Sequence, residues 1–399
     1  MRDKNIVIIG AGYAGLRAAR KLGKYNSARV ILINKDDVHV RLSEIHEVAA
    51  NRVEPDGVAV PIRGCMSSGV SFVKTVVSRV DFEHKQVFTG TGPIGYDYLI
   101  LAIGSEPEFF GISGMKEHSF TLWSLDDAMR IGAHIGKMFT AAIKERDAQK
   151  RKELLTFVIG GGGLTGVEMA GELAEIIPCL SKRYGVPQDK VSLMVVEALP
   201  DILPVLKPNL IKKARKVLES KGVQLMTNSP IMEVDSMGLE LKSGEKIAAR
   251  TLIWTGGVRG NTFIEKLGLP IGGRGRIKVN EYLQTTHPDV YAIGDCAHIV
   301  VDGAPVPQQV EVAFQTADCA AHNIMADIRG YDKKKYRPKI YGTVVSIGRR
   351  YGIADFGTIS FTGLFAIMLK RLFDIHYLLS LGCFRLTLEY VAHRIFRKR

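Results

Sequence analysis

No stretch of this sequence approaches the ~20 uninterrupted apolar residues that a bilayer-crossing helix requires, so no such helix is expected. Cysteine is sparse. The five residues, Cys65, Cys179, Cys296, Cys319 and Cys383, are scattered, form no C-x-x-C pair, and read as reduced, mostly buried thiols of a protein on the cytosolic side. No zinc-finger spacing occurs and no arginine-rich arm opens the chain, so nucleic acid is not an expected partner. The run His39-Val-Arg41-Leu-Ser43-Glu44-Ile-His46 matches no standard set of ligands, and no metal is expected. It reads instead as the polar start of a helix near a cofactor. A strand begins within the first six residues, so no secretory leader is expected.

What is present is a large apolar fraction and many glycines. With 399 residues, 46% of them hydrophobic, the chain exceeds one ordinary core, and two or three domains are expected. Forty-one glycines suit tight turns between alternating strands and helices. The formal net charge of +13 suits anionic cofactors, an acidic membrane surface or nucleic acid.

The chain is organised around Ile6 to Ala19, IVIIGAGYAGLRAA. A β-prone apolar run enters Gly10-x-Gly12-x-x-Gly15, and a small-residue helix follows. The first glycine permits the sharp turn, the second lets a pyrophosphate approach the backbone, and the third lets helix and sheet pack closely. The helix N-terminus then offers unpaired N–H groups to phosphates. A second strand, Arg29 to Asn34, ends in Asn34-Lys35-Asp36-Asp37. Asn34 and Asp36 are candidates for the adenine ribose, and Lys35 either stacks over adenine or faces solvent. Tyr96 to Ser105 is another buried strand, ending at Gly104.

Leu154 to Gly160 opens a second strand–turn–helix, with Gly161, Gly163 and Gly166 in the same spacing. The next strand ends in Glu197, whose carboxylate suits two ribose hydroxyls and repels a 2'-phosphate, which favours NADH over NADPH. Two such turns about 150 residues apart imply two dinucleotides, one supplying electrons and one relaying them. Glu168 and Glu172 lie four apart on the second helix and share a face. Glu168 sits in the first turn, toward the nicotinamide end, and is the favoured functional acid. Thr251 to Gly257 is a further buried strand, ending at Gly256 and Gly257. Val290 to Ala297 ends in Gly294-Asp295, where the glycine admits a pyrophosphate and the carboxylate meets a ribitol hydroxyl. This is a flavin signature, and it completes the first domain, split around the second. The next helix carries Glu311 and Gln315 on one face, toward the acceptor side of the ring.

The expected architecture is α/β, with two Rossmann-like dinucleotide-binding units and a C-terminal amphipathic region. Residues 1–118 and 251–328 form the FAD-binding domain, 119–250 the NADH-binding domain, and 329–399 strands and membrane-association helices. From Phe361 onward seven Lys or Arg face two acids. The apolar residues Leu364, Phe365, Ile367, Met368, Leu369, Leu372, Phe373 and Ile375 fall opposite Lys370, Arg371 and Asp374, and a second segment runs from Tyr377 to Phe396. An apolar face flanked by basic residues lies in the plane of an anionic membrane. A domain core with a dimer interface is the other reading.

The motifs GAGYAGLRAA (10–19), YDYLILAIGSEPEFFGI (96–112), IGGGGLTGVEMAGELAE (159–175), VVEALPDILP (195–204), IWTGGVRGN (253–261) and GRIKVNEYLQTTHPDVYAIGDCA (275–297), with the basic tail, cover nearly the whole chain. Together they resemble the type II NADH dehydrogenases of bacteria, the single-subunit, non-proton-pumping NADH:quinone oxidoreductases of the pyridine nucleotide-disulfide oxidoreductase superfamily. The resemblance implies non-covalent FAD, NADH as hydride donor and a membrane quinone, menaquinone above others, as acceptor. It also implies a homodimer lying peripherally on the cytoplasmic side of the cell membrane. It places Glu168 near flavin and nicotinamide. The family's quinone-side motif AQxAxQ corresponds to Val310 to Gln315, where Ala313 and Gln315 are kept and Glu311 replaces the first glutamine. A carboxylate there would donate a proton if burial raised its pKa, or mark another acceptor. The alternatives are a flavin disulfide or sulfide:quinone reductase, which needs paired cysteines, and a soluble diaphorase, NADH oxidase or ferredoxin reductase, for which the basic tail has no use.

Overall fold

The β-branched run Ile6-Val7-Ile8-Ile9 lies at the centre of the first sheet, with Ile6, Val7 and Ile8 fully buried. The computed structural model describes residues 4–25, 28–382, 387, 388 and 391. The elements that position the site are, in chain order, β1 (Lys4–Ile9), α1 (Tyr13–Leu22), β2 (Ala28–Asn34), α2 (Ile45–Ala49), β3 (Val70–Lys74), β4 (Tyr98–Leu101) and β5 (Phe120–Thr121). There follow α3 (Leu125–Lys144), β6 (Thr156–Gly160), α4 (Leu164–Tyr184), β7 (Ser192–Val196), α5 (Pro208–Ser220), β8 (Val223–Met226) and β9 (Thr251–Trp254). The chain then makes β10 (Val290–Ala292), α6 (Val310–Arg329), β11 (Thr343–Ser346), β12 (Gly352–Asp355), β13 (Ser360–Gly363) and α7 (Leu364–Ser380).

Two five-stranded parallel sheets result. The first has the order β10-β4-β1-β2-β3 and the second β5-β9-β6-β7-β8. Their strands are apolar on both faces because helices and loops cover each side. The first sheet is completed by β10, which pairs with β4 from Val290 opposite Leu99 to Ala292 opposite Leu101. The first unit is therefore split around the second, as its Gly-Asp motif predicts. The expected boundary at residue 250 falls one strand too early. Thr251–Trp254 pairs with β6, Phe157 opposite Thr251, and so belongs to the second unit. An apolar run fixes that a strand is buried but not which sheet receives it.

The third unit is the antiparallel sheet β11-β12-β13 with α7 packed on it, and it closes against α4. Both sides of α7 carry apolar residues. Leu364, Phe365, Met368, Leu372 and Phe373 point outward, each about half exposed, whereas Lys370 is turned inward, its side chain 16% exposed. Ala366, Ile367 and Leu378 are buried as well, so Ile367 shares the inner side with Lys370 instead of lying opposite it, and the expected division into one apolar and one charged face is only partly met. The tail segment beyond 382, with Arg385, Arg394 and the final three basic residues, lies mostly outside the described residues.

One expectation about cysteine fails. Cys65 is disulfide-bonded, while Cys179, Cys296 and Cys319 are free. A bridge depends on proximity in space, which scattered sequence positions do not show. Cysteine usage therefore does not argue for a reducing side of the membrane.

Candidate active site

The two glycine turns are built to the same plan. Gly10 has φ +100° and Gly161 φ +107°, and a Cβ on Gly10 would stand 2.3 Å from the Ala102 carbonyl oxygen. A Cβ on Gly15 would meet the Gly10 oxygen at 1.8 Å, and one on Gly166 the Gly161 oxygen at 1.9 Å. These four glycines are required by the fold itself. Gly12 and Gly163 are different. Each caps its helix with φ −70° and ψ near −170°, values open to any residue. A Cβ on either would have nothing within 4 Å. Neither helix has a side-chain cap at its N-terminus, whereas α3 is closed by a reciprocal Ser124–Asp127 capping box. Open space above a bare glycine, beside uncapped N–H groups, fits a dinucleotide pyrophosphate at both turns.

The residue ending the second strand of each unit holds its turn. The Ala11 N–H donates to Asn34 Oδ1 at 3.0 Å. The Gly162 N–H donates to Glu197 Oε2 at 2.5 Å, and the Leu199 N–H to Glu197 Oε1 at 2.7 Å. Asn34 also donates to the Asp36 carbonyl at 2.9 Å, so both ends of its amide are engaged by backbone. Lys35 faces solvent beside Asp36 and does not reach inward. Gly104, with φ +71°, has open space around its Cα. Gly294 crowds α1: a Cβ would come 3.0 Å from Ala14 Cβ. Its N–H donates to Thr316 Oγ1 at 3.0 Å. Asp295 accepts from Ser105 Oγ at 2.9 Å. Burial pushes its carboxyl up, against the opposing pull of Ser105 and Arg276. Gly256 has a packing reason, since a Cβ would lie 2.2 Å from the Trp254 ring, and Gly257 adopts φ +150° beside Phe110.

A cavity of about 920 Å³ opens between α1, α6 and α7, lined by Tyr13, Ser43, Glu311, Phe314, Lys370 and Tyr377 among others. Part of its wall is aromatic. Phe314 stacks on Tyr377 at 5.3 Å, and Tyr13 contacts both rings. His39 links this wall to the first turn, with Nδ1 3.0 Å from the Ala11 carbonyl and Nε2 2.6 Å from the Tyr377 hydroxyl. Burial drives His39 down to about 4 and Tyr13 up to about 12, so both rings are neutral at pH 7. Glu311 and Gln315 share the wall as their spacing predicts, with Gln315 Nε2 3.3 Å from Glu311 Oε1. Gln315 also exchanges two hydrogen bonds with the Lys339 backbone, at 2.7 and 2.9 Å, and so pins the segment before β11. Glu311 is only half-buried, short of the burial that its reading as a proton donor calls for.

Glu168 is buried and joins α4 to the C-terminal unit. Lys370 Nζ donates to its Oε1 at 2.5 Å, the Ser346 N–H at 3.2 Å and Ser346 Oγ at 3.0 Å. Burial works to raise its carboxyl, but the Lys370 ammonium, then His46, outweigh it and hold it low. Lys370 is held high by Glu168 despite its own burial. Because Lys370 also lines the cavity, the pair joins the acid of the second turn to that space. Glu172 faces elsewhere, in a bidentate pair with Arg52 at 2.5 and 2.6 Å. Sequence reasoning missed Ser346, Lys370 as a partner of Glu168, and Tyr377, and it took His39 for part of a helix start, whereas His39 lies on a short strand, Val38–Val40. The one signal for Lys370 was a charge inside an otherwise apolar helix.

Residues 4–317 match the family described as pyridine nucleotide-disulphide oxidoreductase. The type II NADH:quinone oxidoreductase of Staphylococcus saprophyticus is 33% identical over 391 residues, covering 95% of this chain and 96% of that protein. The chain belongs to the type II NADH:quinone oxidoreductases. The same enzyme of Staphylococcus epidermidis is 34% identical over the same coverage. Among solved structures, NDH2 from Plasmodium falciparum in complex with NADH superposes with a TM-score of 0.89 at 18% identity, covering 100% of this chain and 99% of that one. The sulfide:quinone oxidoreductase of Aquifex aeolicus superposes with a TM-score of 0.77 at 19% identity, covering 99% and 96%. At these identities the structures speak for the fold alone.

For a type II NADH:quinone oxidoreductase the free cysteines are informative. Cys296 is buried against the Leu101 and Ile293 carbonyls, and Cys179 lies in a separate cavity between α3 and α4. Among the described residues only Cys319 is a free thiol on the cavity beside Tyr13. Sulfur transfer through paired cysteines would need a second thiol there, which the described residues do not supply.

Proposed function

We propose that this chain oxidises NADH through a bound FAD and reduces a membrane quinone in the cavity between α1, α6 and α7, without pumping protons. The observation that carries this reading is the pair of open glycine turns, with an acid of the second turn salt-bridged to a cavity lysine. The first turn, with Gly12, Gly294 and Asp295, would hold FAD. Gly163 would face the NADH pyrophosphate and Glu197 its adenine ribose. When bound, FAD takes a hydride from NADH and releases two electrons to the acceptor. The protein's own part is to orient both dinucleotides, to exclude water with the Tyr13–Phe314–Tyr377 wall, and to hold a proton on Lys370 against the Glu168 carboxylate. Uncapped N–H groups at the start of α6 would favour negative charge on the side facing them. The acceptor is read as menaquinone. Stopped-flow oxidation after one equivalent of NADH, with menaquinone, ubiquinone, oxygen and ferredoxin mixed separately, tests this. Fast turnover with one quinone is expected, and sluggish reaction with every quinone would overturn the reading.

The outward apolar face of α7 supports a peripheral position on anionic lipid at the cytoplasmic side, with two copies of the chain side by side. No helix among the described residues is long and apolar enough to cross a membrane. An exposed row of Leu, Phe and Met beside a basic tail is suited to lie in the headgroup region. Phe365→Glu with Leu372→Glu is expected to lower cosedimentation with phosphatidylglycerol vesicles by roughly tenfold or more, while far-UV circular dichroism stays unchanged. Equal binding would remove α7 from the lipid contact.

A further inference from the structure

One buried histidine has no place in the account above. His46, at the start of α2, is 2% exposed. Its Nδ1 lies 3.8 Å from Glu168 Oε2. A ring nitrogen of His46 and one carboxylate oxygen each of Glu47 and Glu172 all lie within 4.8 Å of one another. Its Nε2 is fully buried without a hydrogen-bond partner. An unsatisfied buried nitrogen costs roughly 1–3 kcal/mol, so its setting is unfavourable for a residue that only packs.

The three groups could be taken for a metal site. The cation position is already filled, because Arg52 pairs with Glu172 at 2.5 Å and with Glu47 at 2.6 Å. The arrangement is better described as a row. Arg52, Glu47 and Glu172 stand at one end, His46 in the middle, and Glu168 with Lys370 at the other end, where Lys370 opens onto the cavity. Arg52 is partly exposed, its side chain 13% accessible, so the far end reaches water.

We propose that His46 is a proton-relay residue that connects the Glu172–Arg52 pair to Glu168, and so supplies from the Arg52 side the proton consumed in the cavity. This rests on the reading of the cavity as the acceptor site. Oxidation of NADH by a quinone takes up one proton from water for each quinol formed. In the relay that proton leaves the Glu172 carboxyl for one ring nitrogen of His46. The other ring nitrogen gives its proton to Glu168, which passes it on beside Lys370. The imidazole returns to its starting tautomer, and water near Arg52 reprotonates Glu172. The 3.8 Å gap to Glu168 exceeds a direct hydrogen bond and matches a single bridging water or a small side-chain shift, and the His46 and Glu172 atoms lie within 4.8 Å of each other.

The protonation states agree with this direction. Burial first, against the pull of Arg52, raises Glu172 to about 7, so it carries a proton for part of the time at neutral pH. Burial lowers His46 to about 4, with Glu168 and Glu47 opposing that shift and Lys370 and Arg52 adding to it. The ring is therefore neutral, with one N–H and one lone pair, as a relay requires.

The test uses the full-length, FAD-loaded enzyme and the variants His46→Gln and Glu172→Gln. Infrared titration without any acceptor reads the protonated-carboxyl band. The band should titrate near neutral pH in the wild type, vanish in E172Q and move in H46Q. Stopped flow with a short-chain menaquinone analogue reads the two half-reactions separately. The ratio of the oxidative to the reductive rate should fall roughly tenfold or more in both variants. The solvent deuterium effect should rise, and added imidazole should restore the rate in H46Q but not in E172Q. An unchanged ratio, or no carboxyl band near neutral pH, overturns the relay. A wild-type enzyme that no quinone reoxidises would defeat the acceptor reading instead, and the infrared shift would still decide whether His46 couples the two carboxylates.

Discussion

Glu168→Gln should slow electron delivery to the quinone by roughly 10²–10⁴-fold, the usual worth of a positioned proton-transfer group, while reduction by NADH changes far less. The carboxylate is buried and its Oε1 accepts three hydrogen bonds, from Lys370 and from the backbone and hydroxyl of Ser346. Removing its charge also leaves the Lys370 ammonium without its anion, an effect of about 3–5 kcal/mol on stability. Activity and stability must therefore be separated. The double variant Glu168→Gln with Lys370→Met removes both charges, so it should regain much of the thermal stability and none of the quinone rate. Parallel recovery of both would make the pair structural only. The pH dependence has a definite sign. Glu168 is held below its ordinary value of 4.5, so its contribution is present above that pH and lost as pH falls through the folded value. Lys370 is held above 10.5, so its contribution is present below that pH and lost as pH rises through the folded value. Thermal denaturation from pH 3 to pH 11 should show wild type and double variant converging at both ends.

Gly12→Ala and Gly163→Ala should each empty one dinucleotide site while leaving the fold intact. Both glycines have ordinary backbone angles and open space where a Cβ would stand. Alanine should be neutral or stabilising by about 0.4–1 kcal/mol through the unfolded state. The methyl group occupies the space a pyrophosphate needs. Losing one or two charged hydrogen bonds at about 1.5–3 kcal/mol each corresponds to a weakening of tenfold or more. Gly12→Ala should therefore lose FAD on gel filtration. Gly163→Ala should keep FAD and raise the KM for NADH. Gly15→Ala is the contrasting case, because its Cβ would lie 1.8 Å from the Gly10 oxygen. It should yield little folded protein. If Gly12→Ala kept its FAD, the first turn would not be the pyrophosphate site.

Local features were legible in the sequence and long-range pairings were not. Glycine spacing after an apolar run revealed both turns, because Gly15 must clear the Gly10 oxygen and Gly166 the Gly161 oxygen, each five residues back. The return of the chain to the first sheet was legible from Gly294-Asp295. The membership of β9 was not, since Thr251–Trp254 carries no mark of its neighbour. Glu168 was found by its place in a helix start, yet its partner Lys370 lies 202 residues away. Arg52 lies 120 residues from Glu172, and no periodicity connects them. In α7 the helical period was readable but the inner side was not, because Lys370 turns inward beside Ile367 to meet the buried charge of Glu168, which lies outside the helix itself.

The split of the first sheet bears on the order in which the protein assembles during synthesis. The second sheet is drawn wholly from residues 120–254, whereas the first waits for β10 at Val290–Ala292. On the ribosome, where contiguous units close first, the later sheet in the chain is finished before the earlier one. Gly294 and Asp295 emerge only after that, so a nascent chain has its second glycine turn in place while its first turn still lacks part of its wall. Cofactor supply then acts on a chain whose second half is already built, and a truncated chain ending before β10 would be a folded nucleotide-binding fragment trailing an open sheet edge.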